Sequence, residues 1–331
     1  METLIMITHS FRGTLTFAVL VGTLLVSCLV GAQTREQGPW WPHLEWGPDD
    51  QAGASNRITP EKILEAVSLV TTGKVYELGQ VYERGMPLIG ERTYAMFMPG
   101  MPSGGPFTDL ALVYNDEFLC TEIGQVGTQF DGPGHIGRRM TMADGSVVDV
   151  YYNGFTSNEM ESPYGLRELG VEHVKPFITR GILIDVAGYK GVETLADSYV
   201  VTLADVRGAL ARQGLNEGDI RNGDALLFNF GWWRLWSDAE RVTGNWPGIG
   251  KEVAAWVLER KASMVGSDAA TDEPTSWAVH HDLMLLHGVL NLELMTFETL
   301  LADEVYEFLF VFTPLRLKGA TGSPGRPLAI R

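Results

Sequence analysis

The sequence predicts one α/β domain preceded by an irregular N-terminal arm. Short apolar runs bounded by Gly, Asn and Asp recur along the chain, and such runs are typical of strands buried on both faces of a sheet. Two segments with apolar residues at helical spacing lie between these runs. No internal repeat or low-complexity linker interrupts the pattern. A chain of 331 residues is long enough to bury a substantial core.

The first residues predict export. Arg12 precedes an uncharged apolar run that extends to Val30, and small residues follow it through Ala32. This order is typical of a secretory signal peptide at residues 1–32, and the mature protein is then periplasmic or extracellular. A Leu-Val-Ser-Cys sequence ending at Cys28 also resembles a lipoprotein cleavage box. An uncleaved membrane anchor is the third interpretation, although the run is slightly short for a span.

The arm and the start of the domain differ in composition. Residues 33–57 are rich in Trp, Pro, Gly and Asp and lack periodicity, which predicts an arm that wraps the domain or a neighbouring subunit. The domain itself is assigned to residues 58–331. Thr59 followed by Pro60 predicts the start of a helix, because threonine caps a helix well and proline suits its first turn. Gly73 is expected to end that segment.

The remaining elements follow from local patterns. The predicted strands share an apolar composition and flanking turn residues: 75–78, 110–114, 181–186, 225–230, 263–265 and 308–312. Helices are predicted at 203–212 and 249–260, each with its apolar residues directed inward.

Charge and cysteine content exclude some classes of partner. The formal net charge of −16 argues against nucleic acid or an anionic membrane surface. The charge is compatible with a neutral or cationic ligand, or with an anionic ligand neutralised by a metal.

Cys28 and Cys120 are the two cysteines, so signal cleavage leaves Cys120 with no partner for an intrachain disulfide. We expect Cys120 to be a small buried hydrophobic residue rather than a nucleophile.

Residues 124–135, Gly-Gln-Val-Gly-Thr-Gln-Phe-Asp-Gly-Pro-Gly-His, form the most informative segment. Its glycines and proline exclude a regular helix. Asp131 and His135 therefore lie four residues apart on a tightly turned segment, and they are natural ligands for a borderline divalent cation. A surface turn whose aspartate caps a helix is the alternative.

The segment resembles the signature of the metal-dependent cyclase superfamily, which includes bacterial kynurenine formamidases and isatin hydrolases. That signature, His-x-Gly-Thr-His-x-Asp-x-Pro-x-His, aligns without a gap on residues 125–135. The matching residues are Gly127, Thr128, Asp131, Pro133 and His135. Gln125 and Gln129 replace the first two histidines, as in a Gly-Thr-Gln subgroup of the family. The resemblance extends over about 75–330 and implies a swivelling β/β/α architecture.

A second cluster lies downstream, in His280-His281-Asp282, His287 and Glu293. In the family a histidine and a glutamate twelve residues apart complete the metal site, and His281 and Glu293 have that separation. His280 fits only with a one-residue shift, and it is assigned to proton transfer or to hydrogen bonding in the core. His287 is assigned to packing. The ligand set implied by the resemblance is Asp131, His135, His281 and Glu293.

This ligand set suits one divalent ion, Zn²⁺ or Mn²⁺, with room for water. A glutamine amide is a much weaker zinc ligand than imidazole, so Gln125 and Gln129 predict the loss of the second metal found in two-metal relatives. Both glutamines are expected near the metal or the substrate. Phe130, Trp232 and Trp233 are candidates for an apolar wall against a substrate ring, with ordinary core packing as the alternative.

The resemblance implies a metal-dependent hydrolase, similar to arylformamidases, that cleaves a C–N bond in a small amide by metal-activated water. Glu293 or His280 would move the proton to the leaving group. A lactone hydrolase, a cyclase/dehydratase, and an exported metal-dependent ligand-binding protein without turnover remain alternatives. The resemblance also implies a homo-oligomer. No G-x-S-x-G or P-loop pattern supports a serine hydrolase or a nucleotide enzyme.

Overall fold

The structure, a computed structural model, describes residues 37–331, so the predicted signal peptide or lipid anchor lies outside the described residues. The strands are β1 Val75–Glu77, β2 Tyr94–Phe97, β3 Gly104–Phe107, β4 Leu112–Tyr114, β5 Phe118–Thr121, β6 Gln129–Asp131, β7 Arg138–Thr141, β8 Val147–Val150, β9 Phe177–Asp185, β10 Val200–Val201, β11 Ala225–Asn229, β12 Gly248–Ile249, β13 Met264–Ser267, β14 Leu290–Glu293, β15 Glu307–Phe312, β16 Gly322–Pro324 and β17 Leu328–Ile330. The α-helices are α1 Pro60–Val67, α2 Ser157–Met160, α3 Val186–Lys190, α4 Leu203–Arg212, α5 Ala239–Val242, α6 Lys251–Glu259 and α7 Glu298–Ala302. A π-helix covers Val279–Leu285. Within this part of the chain, the helices are all too short or too polar to span a membrane.

Nine strands form one curled, mixed sheet in the order β1-β17-β15-β9-β11-β13-β14-β6-β16. The four central strands β9, β11, β13 and β14 are parallel neighbours. Their neighbours on both sides, β15 and β6, pair antiparallel to them. Parallel neighbours need crossover connections, and α4, α6 and the π-helix lie on those connections. The arrangement confirms the predicted α/β fold.

The central strands are buried on both faces. In β11, Leu226 and Phe228 contribute to a core cluster shared with α4 and α6, whereas Leu227 contributes to a second cluster that contains Phe308 and Phe310 of β15. Successive side chains of a strand point to opposite faces, so each face needs its own apolar residues. This explains why the predicted strands are continuous apolar runs. Helix α4 has the predicted bounds, and α6 lies within its predicted range.

One prediction about burial is wrong. The strand expected at 110–114 forms as β4, but its side chains are exposed, and Cys120 of β5 is also exposed. Both strands belong to residues 88–123, which we call the extension. It contains two antiparallel ribbons, β2–β5 and β3–β4, and none of its residues is buried. The apolar residues of the extension are therefore not part of a buried core.

A buried ion network joins α1 to the sheet. Lys62 of α1 and Arg180 of β9 both contact the carboxylate of Asp224, with Nζ–Oδ1 and Nη2–Oδ2 distances of 2.5 Å. All three side chains are buried. Helix α1 begins as predicted, because Thr59 accepts a hydrogen bond from the Lys62 amide and Pro60 follows. It ends at Val67, before the expected Gly73.

The arm is irregular apart from a 3-10 turn at Gly53–Arg57. Its backbone bonds to two distant segments: the His43 amide donates to Asn153 Oδ1 at 2.7 Å, and the Ala54 amide donates to the Gly288 carbonyl at 2.7 Å. Gly53 has a positive φ of 56° and lies against the Gly288 backbone, where a Cβ atom would come within 2.4 Å of the carbonyl oxygen. Glycine is therefore required at this contact.

Candidate metal centre

Two antiparallel strands place polar side chains on one face. In the register of β6 and β14, Asp131 is opposite Asn291 and Gln129 is opposite Glu293. Residues two apart in a strand share a face, and directly opposed residues share it too. The four polar side chains therefore form one patch, which is buried. Phe130 lies between them in sequence and points to the other face.

His135 reaches this patch because the chain turns directly after β6. Its backbone amide donates to the Gly132 carbonyl at 3.0 Å. Gly132 and Gly134 permit a close approach that other residues would block: a Cβ atom at these positions would lie 2.7 Å from Val171 Cγ1 and 2.4 Å from Leu166 Cδ1. The glycines of the motif thus bring His135 next to Asp131.

Asp131, His135 and His280 form the metal-ligand cluster of the described residues, each offering one ligand atom within 4.8 Å of the others. Nε2 of His280 is 3.5 Å from Asp131 Oδ2, and Nε2 of His135 is 3.8 Å from Asp131 Oδ1. Ligands at zinc-like bond lengths in a tetrahedral site lie roughly 3.4 Å apart. The cluster therefore has dimensions that one small cation can bridge.

His281 does not join this cluster, contrary to the ligand set implied by the twelve-residue spacing. Its Nδ1 atom is 2.5 Å from the Asp282 carboxylate, and its side chain is 38% exposed. His280, one residue earlier, takes the position expected of His281. Adjacent residues of a helix point in different directions, so only one of the two faces the site. His287 is exposed and contacts the Asp282 carbonyl, also outside the cluster.

Asp272 orients the His280 ring toward the site. Asp272 was not identified in the sequence analysis. Its Oδ1 atom accepts from the Val279 amide at 2.5 Å, which caps the first turn of the π-helix. Its Oδ2 atom lies 2.5 Å from His280 Nδ1. A carboxylate only accepts, so the proton is on Nδ1 and Nε2 is directed toward Asp131. The position of Asp272 shortly after β13 could have identified it, because functional sites are often found at the carboxyl ends of parallel strands.

The charges of the cluster support one another. Burial by itself would raise the pKa of Asp131, but His135, His280 and the Gln125 amide lower it to about 2. Burial by itself would lower the pKa of His280, but Asp131 and Asp272 raise it well above its usual value. Burial lowers the pKa of His135, although Asp131 opposes the shift. Asp131 is thus an anion, and the position next to His280 Nε2 favours positive charge.

Glu293 lies beside the cluster but is not a member of it. Its two oxygens accept from the Gln129 and Asn291 amides at 3.0 and 2.8 Å. The Asn291 amide also lies 3.3 Å from Asp131 Oδ2, so it links the two carboxylates. Burial, followed by the charge of Asp131, raises the pKa of Glu293 to about 7. The carbonyl oxygens of Gln129 and Asn291 are buried without a hydrogen-bond partner.

Gln125 connects the cluster to the extension. Its amide nitrogen donates to Asp131 Oδ1 at 2.7 Å, and its carbonyl oxygen accepts from Arg92 Nη2 at 3.1 Å. Because a guanidinium only donates, it fixes the orientation of the Gln125 amide. Both glutamines of the motif thus act as donors to carboxylates in this geometry.

Phe130, Trp232 and Trp233, the candidates for an aromatic wall, are not among the residues that line the pocket described below. Phe130 packs in the core against Phe177 and Phe312, because alternation along β6 directs it away from the site. Trp232 is buried in the cluster shared with α4 and α6. Trp233 is half-buried, and its ring contacts the Arg234 guanidinium.

A pocket of about 100 Å³ opens onto the cluster. Its apolar walls come from Trp246, Trp277, Ile89 and Ile136, residues that local pattern did not single out. Arg92, Gln125, Gln129, His135, His280 and Glu293 line the remainder. A cleft of about 510 Å³ lies along the arm, but the buried charged groups identify the smaller pocket as the candidate site.

Comparison with known proteins places the chain among proteins of one family. Residues 76–273, more than half of the chain, match the model of the Cyclase family. A crystal structure of a novel cyclase superposes with a TM-score of 0.75 at 30% identity, covering 86% of this chain and 98% of that one.

Two further structures are isatin hydrolases A. The enzyme from Ralstonia solanacearum superposes with a TM-score of 0.56 at 20% identity, covering 78% of this chain and 92% of that one. The enzyme from Labrenzia aggregata, bound to benzyl benzoate, has a TM-score of 0.52 at 17% identity, with 77% and 93% covered. At these identities the likeness shows the shared fold. Among curated protein sequences there was no match. The family match and the 30% identical cyclase together confirm the predicted relationship: the chain belongs to the Cyclase family.

Proposed function

We propose that this protein is a metal-dependent hydrolase that cleaves a C–N bond in a small amide. The observation that carries the proposal is the convergence of Asp131, His135 and His280 at the base of a pocket. Two imidazoles and a carboxylate are a ligand set typical of catalytic zinc or manganese, with a position left for water or substrate.

The surroundings of the cluster fit a cation. Nε2 of His280 faces an anionic Asp131, and Glu293 lies beside it, so positive charge is favoured there. The buried carbonyl oxygens of Gln129 and Asn291 lack donors. Such acceptors are expected to bind a water or a substrate N–H group. One ion fits better than two, because Gln125 and Gln129 stand where the two-metal pattern has histidines.

When bound, the ion would polarise a carbonyl group and make hydroxide available near neutral pH. The protein residues supply the rest. Asp272 holds the His280 ring in one orientation. Glu293 lies in the pocket wall with a pKa raised to about 7, so it can accept the proton of the attacking water and pass it to the leaving nitrogen. We therefore assign proton transfer to Glu293 and ligation to His280.

The test combines metal analysis with turnover. The purified protein is expected to contain about one Zn or Mn per chain and to hydrolyse an N-formyl arylamine such as N-formylkynurenine. A chelator should abolish that activity, and readdition of metal should restore it. Chelator-sensitive hydrolysis of lactones alone would indicate the oxygen-ester alternative. Bound metal without turnover of amides or lactones would indicate a ligand-binding protein and contradict the proposal.

A further inference from the structure

Arg92 brings a positive charge into the pocket from the root of the extension. It lines the pocket together with His135 and Glu293. One of its nitrogens, Nη2, donates to Gln125 Oε1 at 3.1 Å. Among residues 37–331, we find no carboxylate within ion-pair distance of Arg92, although Arg57, Arg180 and other arginines form such pairs.

A guanidinium has five N–H donors in a planar fork that matches a carboxylate. The contact with Gln125 uses one of them and leaves the others for a ligand. The charge lies beside the reacting groups, because Arg92 lines the same small pocket as His135 and Glu293. An anion bound at Arg92 would thus lie close to the cluster.

The size of the pocket limits what can enter. Its volume of about 100 Å³ is smaller than the roughly 150 Å³ cavity that accommodates benzene. The pocket therefore encloses only a small acyl group such as formyl. A larger substrate body must lie at the mouth, where Trp246, Trp277 and Ile89 offer apolar contacts and Arg92 offers charge.

We propose that Arg92 is an anion-binding residue that selects amides carrying a carboxylate beside the reacting group. This inference rests on the proposed hydrolase function. The substrate class is a small N-acyl amine, with a formyl-sized acyl group, whose amine part bears a carboxylate and an apolar or aromatic body.

A matched pair of substrates tests the proposal. N-formylanthranilate and formanilide share the ring and the formyl amide, and only the first has a carboxylate. The wild-type protein is expected to prefer N-formylanthranilate at least tenfold in kcat/KM. Arg92→Met should lower kcat/KM for it about 10- to 100-fold, the range for a charge-assisted hydrogen bond, and change formanilide less than about threefold. Arg84→Met, an exposed arginine eight residues before Arg92 in the chain, is the control.

Equal losses on both substrates would overturn the proposal and show that Arg92 acts by positioning Gln125. No loss on either would also overturn it. If the wild-type protein hydrolyses neither substrate, calorimetry with anthranilate separates the questions. Binding by the wild type that Arg92→Met abolishes would support the anion site while the hydrolase assignment fails. Equal binding, or no binding, would overturn the anion site.

The extension presents a large exposed apolar surface, which supports a second, independent inference. Eleven large apolar side chains between Met96 and Leu119 are at least 40% exposed. No residue from 88 to 123 is buried. An isolated two-stranded ribbon is only marginally stable in water, so β2–β5 and β3–β4 need an apolar partner.

Area and charge indicate which partner. Eleven side chains, each about half exposed, present roughly 1,000 Å² of apolar surface. Successive strand residues face opposite sides, so this surface is divided between the two faces of the ribbons. A second copy must therefore enclose both faces to approach the roughly 800 Å² that each partner of a stable interface supplies. The charged residues of the extension between 93 and 121 are the acids Asp109, Asp116 and Glu117, which disfavour an anionic membrane. We infer that the extension packs against a second copy of this chain, with the same patch used by both copies.

Solution mass tests this surface. Light scattering coupled to size exclusion should give at least a dimer for the wild type. Met101→Glu and Leu110→Glu, the two most exposed positions, should lower the mass toward the monomer with an unchanged circular dichroism spectrum. Leu64→Glu, on α1 and 70% exposed, should leave the mass unchanged. A monomeric wild type, or variants that keep its mass, would overturn the inference. So would a monomer that binds anionic vesicles.

Discussion

At the scale of single residues, His280 and His281 are adjacent but lie in different surroundings. His280 faces Asp131, and His281 pairs with Asp282 near the surface. His280→Ala should therefore lose the metal and the activity together, because two donors remain in the cluster. His281→Ala should keep both. Metal content measured by mass spectrometry, with circular dichroism as the folding control, tests this contrast. Metal loss in His281→Ala with retention in His280→Ala would restore the twelve-residue assignment.

A second residue-scale prediction concerns the aspartates that hold these two rings. Asp272→Asn removes the charge that orients His280 and should weaken metal binding about 10- to 100-fold. Asp282→Asn makes the same change beside His281 and should leave affinity unaltered. Competition with a chromophoric chelator measures both. Similar affinities for the two variants would contradict a supporting role for Asp272.

Single-residue predictions succeeded where the relevant contacts are local. Asp131 and His135 lie within one turn, so their spacing determines their proximity. His281 was a wrong choice because tertiary contacts with Asp272 set the phase of that helix. Phe130 was wrong for a related reason, since a three-residue strand within a Gly-rich loop gives little periodicity from which to read a face.

At the scale of elements, disrupting the buried ion network that joins α1 to β9 should cause a large loss of stability. Asp224→Ala leaves Lys62 and Arg180 buried without their shared carboxylate. Removing one partner of a buried ion pair costs about 3–5 kcal/mol. Arg221→Ala breaks an exposed pair with Glu65 and should cost less than about 1 kcal/mol. Urea denaturation of both variants measures the difference, and comparable midpoints would show that the network contributes little.

Elements were predictable where burial imposes a pattern. The runs that became β9, β11 and β15, and the amphipathic helix α4, needed nothing beyond local sequence. The extension has similar apolar runs, but no layer of residues 37–331 covers them. The π-helix was not predicted either, because its extra residue per turn depends on contacts at both of its ends rather than on propensity.

At the scale of the whole molecule, buried acids should make stability depend on pH. Burial raises the pKa values of Asp268 and Glu293 to about 7. The folded state then holds protons that the unfolded state releases near pH 4. Stability is therefore greatest below pH 4 for these groups and is lost as the pH rises through about 7. Asp131, with a pKa lowered to about 2, acts only at much lower pH.

The expected loss between pH 5 and pH 8 is on the order of a few kcal/mol in metal-free protein. His280 acts in the same direction, whereas the lowered pKa of His135 opposes it. Urea denaturation after chelator treatment measures the slope. Asp268→Asn and Glu293→Gln should each flatten it. A stability that rises from pH 5 to pH 8 in the wild type would contradict the prediction.

The pairing of β6 with β14 has a consequence for how such a protein can change over time. The odd positions 129, 131, 291 and 293 face the chemistry, and the even positions 130 and 292 face the packed interior. Substitutions at the odd positions can exchange one donor for another without disturbing the apolar interior. Exchanging one polar residue for another at position 129 would therefore alter the site while the apolar interior of the scaffold stays intact. On these two strands, the residues that determine the chemistry of the site are therefore different from the residues that determine the stability of the fold.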